Sequence, residues 1–282
     1  MKCALFVPGN QPNMHVSAFA YHAEALIFDC EDAVALNQKD SARLLVGETL
    51  KTLTMFDQKR MVRVNPVDSH HFEADVKMAV ASGADFIMLP KASVPAVQAL
   101  DSLLDHVERD LDTRMPVFLI IESALAVETL SDIVDTSNRI YGLLLGGEDL
   151  MSDKHVQPSA SRVEIQYARS KLVSLARAKH MIALDTPYVE IDNEAGLRAD
   201  TQMAKQLGYD GKVAIHPSQI DIINDIMHFS ESQIKEAQAI VEAYQNAQQL
   251  GLGAFSYQGK MVDKPILERA IQILDATKGK LV

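Results

Sequence analysis

The sequence is short of positive charge, of cysteine and of long apolar runs. Lys and Arg number 27 against 38 Asp and Glu in 282 residues, a net charge of −11. That balance argues against nucleic acid and anionic membrane as main partners. It leaves room for a small anionic ligand, because one local Arg or Lys outweighs the mean field. The only two cysteines, Cys3 and Cys30, lie in apolar runs and read as buried thiols in a reducing compartment rather than a disulfide framework. The first apolar run stops at Pro8-Gly9, so the opening does not read as a secretory signal. No stretch reaches the length of a membrane span. No His-x-x-x-His or Cys cluster offers a site for a softer metal. Repeats and low-complexity tracts are also missing. These absences predict a soluble, cytoplasmic protein.

What is present is a sizeable apolar fraction, 48%, in a length that suits one large α/β domain. Short aliphatic runs recur at Cys3–Pro8, Ala25–Asp29, Met61–Asn65, Phe86–Pro90, Val117–Ile121, Tyr141–Leu145, Met181–Asp185 and Val213–His216. They lack alternation, as strands buried on both faces do. The intervening segments carry helical periodicity. In Ser93–Leu111 apolar residues fall three or four apart, Ser93 can cap, and Pro95 fits the first turn. Eight strand-length runs joined by helices predict a (β/α)8 TIM barrel over 1–217, with a doubly wound open sheet as the alternative. From 218 to 282 the pattern becomes helical. Ser230 and Gln233 make a capping box, and a polar stretch from Gly251 to Asp263 precedes a last helix. This tail is expected to be a lid or an oligomerisation arm.

The chemistry gathers where the runs end. Glu122 closes LIIES and Glu148-Asp149 follow LLLGG. Each acid alone reads equally as a solvated strand end or a helix cap. Together, at the strand ends where barrel sites form, two carboxylates suit Mg²⁺, a hard cation that keeps part of its hydration. Arg63 in MVRVNP is either a structural ion pair or a fork for a substrate carboxylate. Asp29, Glu31 and Asp32 in DCED repel one another unless cations or hydrogen bonds offset them; the alternatives are holding a metal-bound water or Arg63, or capping the next helix. Lys91 either contacts an anion or pairs with Glu122. Gly9 and Asn10 follow the first run and could approach a ligand. His216 reads as structural, and Asp263 reads as a helix N-cap.

Taken in order, VPGN, FDCEDAVALNQKDSAR, VRVNP, LPKAS, IESA, GGEDL, LDTPY, GYDGKVAIHPSQI and GAFSYQGKMVDKP resemble the citrate lyase β-subunit-like proteins over nearly the whole chain. FDCEDAVALNQKDSAR and the segment ending in GKMVDKP look most like the citramalyl-CoA lyase branch. The resemblance implies a barrel with a C-terminal lid, a trimer or a multiple of it, and Mg²⁺-dependent cleavage of a hydroxyacyl-CoA thioester to acetyl-CoA and a 2-oxo acid. It implies Glu122 and Asp149 as metal ligands and Arg63 as the carboxylate anchor. It also implies Asp263 as an acid/base delivered by a neighbouring subunit, with one of Asp29, Glu31 and Asp32 serving proton transfer. One departure stands out. Many relatives carry a basic stretch after the first Pro-Gly, where this chain has Gln11-Pro12-Asn13-Met14. Binding of CoA phosphates must then use other groups. The rival readings are a citrate lyase β subunit acting on citryl-acyl carrier protein, a non-catalytic barrel subunit, and an aldolase acting on free 2-oxo acids.

Overall fold

The computed structural model describes residues 1–249, 255–257 and 259–278. Eight parallel strands close into a barrel in sequence order, β1 (Cys3–Pro8), β2 (Ala25–Asp29), β3 (Lys59–Arg63), β4 (Phe86–Leu89), β5 (Val117–Ile121), β6 (Ile140–Leu145), β7 (Ile182–Asp185) and β8 (Gly211–Ala214). β8 returns to β1, so the open-sheet alternative falls. The apolar runs match the strands to within two residues, the largest offsets being at β3 and β8, each of which starts and ends two residues before its run.

Side chains alternate across the barrel wall, as pleating requires. Ala4, Ala25, Ile27, Met61, Met88, Phe118, Ile120, Leu144, Leu184 and Val213 pack inside. Their neighbours, such as Leu26, Phe28, Val62, Leu119 and Leu143, pack outwards beneath the helices. Each fully buried aliphatic side chain contributes roughly 1.5–3 kcal/mol. Continuing the inward rows by one step places Asp29, Arg63 and Glu122 at the C-terminal mouth. Register reinforces this, since Pro8 pairs with Asp29 and Asp29 with Arg63.

The helical layer comprises α1 (Pro12–Ala18), α2 (Lys39–Thr52), α3 (Phe72–Ala81), α4 (Val94–Val107), α5 (Ala124–Glu128), α6 (Leu130–Asp135), α7 (Gly147–Asp153), α8 (Gln166–Ala178), α9 (Glu194–Leu207) and α10 (Ile220–Met227). Ser93 caps α4, accepting from Ala96 N at 3.3 Å. α4 stops at Val107 and leaves Leu111 exposed, short of the periodic stretch read from the sequence.

The chain forms two compact units, Met1–Met227 and His228–Val282. The first takes in α10, which lies beyond residue 217. Ile220, Ile223 and Met227 of that helix are buried in the layer outside the barrel. The second unit holds α11 (Glu231–Gln249), the antiparallel pair β9 (Phe255–Tyr257) and β10 (Lys260–Val262), and α12 (Lys264–Lys278). Its capping box forms reciprocally. Gln233 N donates to Ser230 Oγ at 3.2 Å, and Ser230 N to Gln233 Oε1 at 2.9 Å. Gly251, at the start of the expected polar stretch, lies outside the described residues. No helix among the described residues is long and apolar enough to cross a membrane.

Candidate active site

A small cavity of about 70 Å³ opens at the C-terminal mouth, lined by Phe6, Arg63, Glu122, Glu148, Asp149 and Thr186 among others. Glu122 follows β5 as the next inward residue. Its Oε1 accepts from Lys91 N at 2.5 Å, a contact presented by the left-handed backbone of Lys91 at φ 49°. Lys91 thus meets Glu122 through its amide. Its ammonium forms no ion pair with Glu122 among the described residues, which differs from the pairing weighed from sequence. A Cβ at Gly146 would come within 2.5 Å of Glu122 Cβ and 2.9 Å of its Oε2, so glycine is needed beside this carboxylate. Burial pushes the Glu122 carboxyl up to about 7 against the Lys91 amide, with Asp149 adding to the rise.

Asp149 stands in the first turn of α7, exposed, and its carboxylate accepts no hydrogen bond among the described residues. Glu148 points elsewhere, to Arg162 Nη1 at 2.7 Å. Arg162 lies over the Tyr188 ring at 5.5 Å.

Arg63 is held in place by its surroundings. Its Nε and Nη2 donate to Asp29 Oδ1 and Oδ2 at 2.8 and 2.6 Å, and its guanidinium lies 4.9 Å from the Phe6 ring centroid. The same Asp29 oxygens accept from Glu31 N at 2.8 Å and Ala33 N at 3.0 Å. All of Asp29's capacity near the site is spent on holding Arg63 and the DCED turn. The structural ion pair weighed for Arg63 is thus present, and it lies at the cavity wall.

Glu31 differs from Asp29. It is buried, and its Oε2 lies 2.9 Å from Arg63 Nη1 yet without hydrogen-bond geometry, which leaves that oxygen without a hydrogen-bond partner. Burial pushes its carboxyl up to about 8; Arg63 opposes the shift, while Asp32, Glu122 and Asp29 add to it. Asp32 is exposed and 3.8 Å from Arg63. The turn is held from behind by the buried Lys39, whose Nζ donates to Cys30 O at 2.9 Å and Glu31 O at 2.6 Å. Nothing in the local sequence singled out Lys39, because its partners lie eight and nine residues back on another element.

Asn10 turns to the Gln38 side chain rather than to the cavity lining. Gly9 approaches β2 closely, with its N 2.8 Å from Asp29 O, and a Cβ there would meet that carbonyl at 2.5 Å. His216 caps a single 3-10 turn, Pro217–Gln219, through Ser218. It also lines a second cavity of about 340 Å³ that shares Phe6 with the first. Leu5, Val7, Met14, Tyr21 and Ile215 line that cavity too, and among the described residues no Lys or Arg does. Asp263 lies in the second unit, where its Oδ1 accepts from Ile266 N at 3.3 Å as the cap of α12.

The chemistry of the mouth suits a divalent cation. Among the described residues Asp149 accepts no hydrogen bond and Glu122 Oε2 makes none, and Asp149 adds to the burial that raises Glu122. A dication would relieve the repulsion between the two carboxylates. No group of three or more His, Cys, Asp or Glu gathers for a metal among the described residues. Two carboxylates with open coordination positions are a donor set that would fit Mg²⁺, which keeps part of its hydration.

Residues 2–217 match the HpcH/HpaI aldolase/citrate lyase family. The chain belongs to that family. It is 36% identical over 274 residues to citrate lyase subunit beta of Leuconostoc mesenteroides subsp. cremoris, covering 96% of this chain and 91% of that protein. Identity to the mitochondrial citramalyl-CoA lyase of Homo sapiens is 32%, covering 95% and 83%. The fold superposes on CitE of Mycobacterium tuberculosis, crystallised with magnesium, acetoacetate and coenzyme A, with a TM-score of 0.80, 26% identity and 97% coverage of both chains. The family membership and the closed barrel both agree with the resemblance read from the motifs.

Proposed function

We propose that this family member is a Mg²⁺-dependent carbon–carbon lyase that cleaves a 3-hydroxy-3-carboxyacyl thioester of the citramalyl-CoA or malyl-CoA type to acetyl thioester and a 2-oxo acid. The observation that carries the reading is the excess of carboxylates over guanidinium groups at the barrel mouth, where Asp29, Glu31, Asp32, Glu122 and Asp149 surround Arg63. Glu122 and Asp149 would hold the metal. Mg²⁺ there supplies Lewis-acid stabilisation of the substrate's hydroxyl and carboxylate oxygens.

The remaining roles are supported by side-chain geometry for Arg63 and Glu31, and by the family resemblance for Asp263. Arg63, already oriented by Asp29, presents its positive charge at the cavity wall for the substrate carboxylate. Pre-orientation lowers the ordering cost of binding. Glu31 takes the hydroxyl proton. Among the three DCED acids it alone is buried with an oxygen lacking a hydrogen-bond partner, and burial pushes its carboxyl up to about 8, in the range that suits a general base. Loss of that proton turns the hydroxyl carbon into the carbonyl of the 2-oxo acid. The electrons of the broken C–C bond pass to the thioester as an enolate. Asp263 of a neighbouring subunit then protonates the enolate carbon. Asp263→Asn should lower turnover by about 10²–10⁴-fold with little change in KM; wild-type turnover in that variant removes Asp263 from the reaction.

A second reading concerns the carrier alone. The lack of a basic residue in Gln11–Met14 is the sequence feature behind an arm carried on a protein, as citryl-acyl carrier protein, in place of free CoA. The 36% identity to a citrate lyase subunit supports the same alternative. The test is to incubate the pure protein with Mg²⁺ and, separately, citramalyl-CoA, malyl-CoA and citryl-acyl carrier protein, and to assay the 2-oxo acid. Cleavage of a CoA thioester supports the first reading. Cleavage of the carrier-protein thioester alone supports the second. No cleavage of any of them contradicts the lyase assignment.

A further inference from the structure

Thr186 follows β7 and is wholly buried, yet it lines the 70 Å³ cavity. Its hydroxyl oxygen accepts a hydrogen bond from Gly147 N at 3.0 Å. Gly147 opens α7, and Asp149 stands in the first turn of that helix. A Cβ on Gly147 would lie 2.7 Å from the Thr186 hydroxyl oxygen, so the contact requires glycine.

Thr186 is also held from behind. Lys212 Nζ donates to Thr186 O at 2.6 Å. Lys212 is fixed in turn by Asp185 and Asp200, each at 2.7 Å. Arg169 bridges the same two acids at 2.9 and 2.7 Å. A continuous line of hydrogen bonds thus runs from the layer between barrel and helices to the backbone that carries Asp149. The Asp149 carboxylate has no hydrogen bond of its own among the described residues, so its place depends on that backbone.

We propose that Thr186 is a positioning residue. Its hydroxyl fixes the start of α7 so that Asp149 faces Glu122, and the buried Arg169–Asp185–Asp200–Lys212 cluster anchors Thr186. The inference rests on the reading of Glu122 and Asp149 as metal ligands. Groups that orient a metal ligand typically change metal affinity by about 10–100-fold when removed.

The test uses Mn²⁺ as the probe, with free Mn²⁺ followed by electron paramagnetic resonance, on wild type, Thr186→Val and Thr186→Ser. Valine keeps the shape and removes the acceptor; serine keeps the acceptor. Thr186→Val should weaken Mn²⁺ binding by about 10–100-fold, and Thr186→Ser should stay close to wild type. Equal affinity in Thr186→Val and wild type overturns the proposal. So does equal weakening in both variants, which would assign the effect to packing. A lowered melting temperature with unchanged affinity marks a purely structural role and also overturns it. If Thr186→Val does not fold, Thr186→Ala carries the same comparison with Thr186→Ser. Failure of the wild type to bind Mn²⁺ is a separate result: it overturns the metal reading, and the positioning role with it.

Discussion

Two groups of charged side chains sit on the two faces of the barrel wall, and they are built differently. Outside β7 and β8, Arg169 and Lys212 meet Asp185 and Asp200, two cations against two anions, all buried and all paired. At the mouth, Arg63 stands against Asp29, Glu31, Asp32, Glu122 and Asp149. The outer cluster is closed, since its charges cancel and its strong donors are used. The mouth is left unbalanced: among the described residues the Asp149 and Asp32 carboxylates accept no hydrogen bond, and two carboxyls are pushed up to about 7 and about 8. A balanced buried cluster ties elements together. An unbalanced one costs stability unless a cation completes it, and such sites are where chemistry is found.

The comparison breaks most visibly if the two clusters respond alike to substitution. Asp149→Asn should lower turnover by about three orders of magnitude, equivalent to roughly 4 kcal/mol, and abolish Mg²⁺ binding with a melting temperature near wild type. An active Asp149→Asn enzyme removes Asp149 from the metal site. Arg169→Met should do the reverse. It leaves two buried acids sharing Lys212 alone, and denaturant unfolding should show a loss of about 3–5 kcal/mol. Wild-type stability in that variant would mean the outer cluster is not a structural tie.

The third prediction concerns pH. Glu31 and Glu122 ionise in the metal-free folded protein at about 8 and about 7, against an ordinary 4.5. Between those limits the folded state holds protons that the unfolded state has released, so this contribution is complete below about 4.5 and is lost by about 8. The melting temperature of metal-free protein should fall as pH rises through this window, and Mg²⁺ should flatten the fall. Calorimetry at pH 7 in buffers of differing ionisation heat should also show proton release on Mg²⁺ binding. A metal-free melting curve that rises through the window contradicts the burial argument. The smallest effect is expected at Glu148, whose half-exposed pair with Arg162 contributes about 0–1 kcal/mol. Glu148→Gln should leave turnover within several-fold of wild type, and a loss as large as that of Asp149→Asn would make Glu148 a ligand.

Much of this comparison could be read before the structure was known, and the reasons are local. Buried parallel strands announce themselves as unbroken aliphatic runs, and Glu122 and Asp149 follow directly on two of them. The capping signals at Ser93 and Ser230 depend on residues three apart and reappear as hydrogen bonds. The rest depends on partners far along the chain. Asp29 and Glu31 look equivalent in DCED. Only the folded chain shows Asp29 hydrogen-bonded to Arg63, 34 residues away, and Glu31 ion-paired to the same Arg63 but with an oxygen that has no hydrogen bond. Asp185 reads as one more acid at a strand end, but it points outwards to Arg169 and Lys212. The inward neighbour Leu184 fixes that direction through the strand's period of two. Thr186 gave no signal beyond its place in LDTPY, because its partner Gly147 lies 39 residues earlier.

The most direct measurement is a calorimetric Mg²⁺ titration of metal-free wild type and Asp149→Asn, with a 2-oxo acid present. The unbalanced mouth predicts one Mg²⁺ bound per chain in the wild type and none in the variant. A wild type that takes up no Mg²⁺, or a variant that binds it as tightly, would contradict the account.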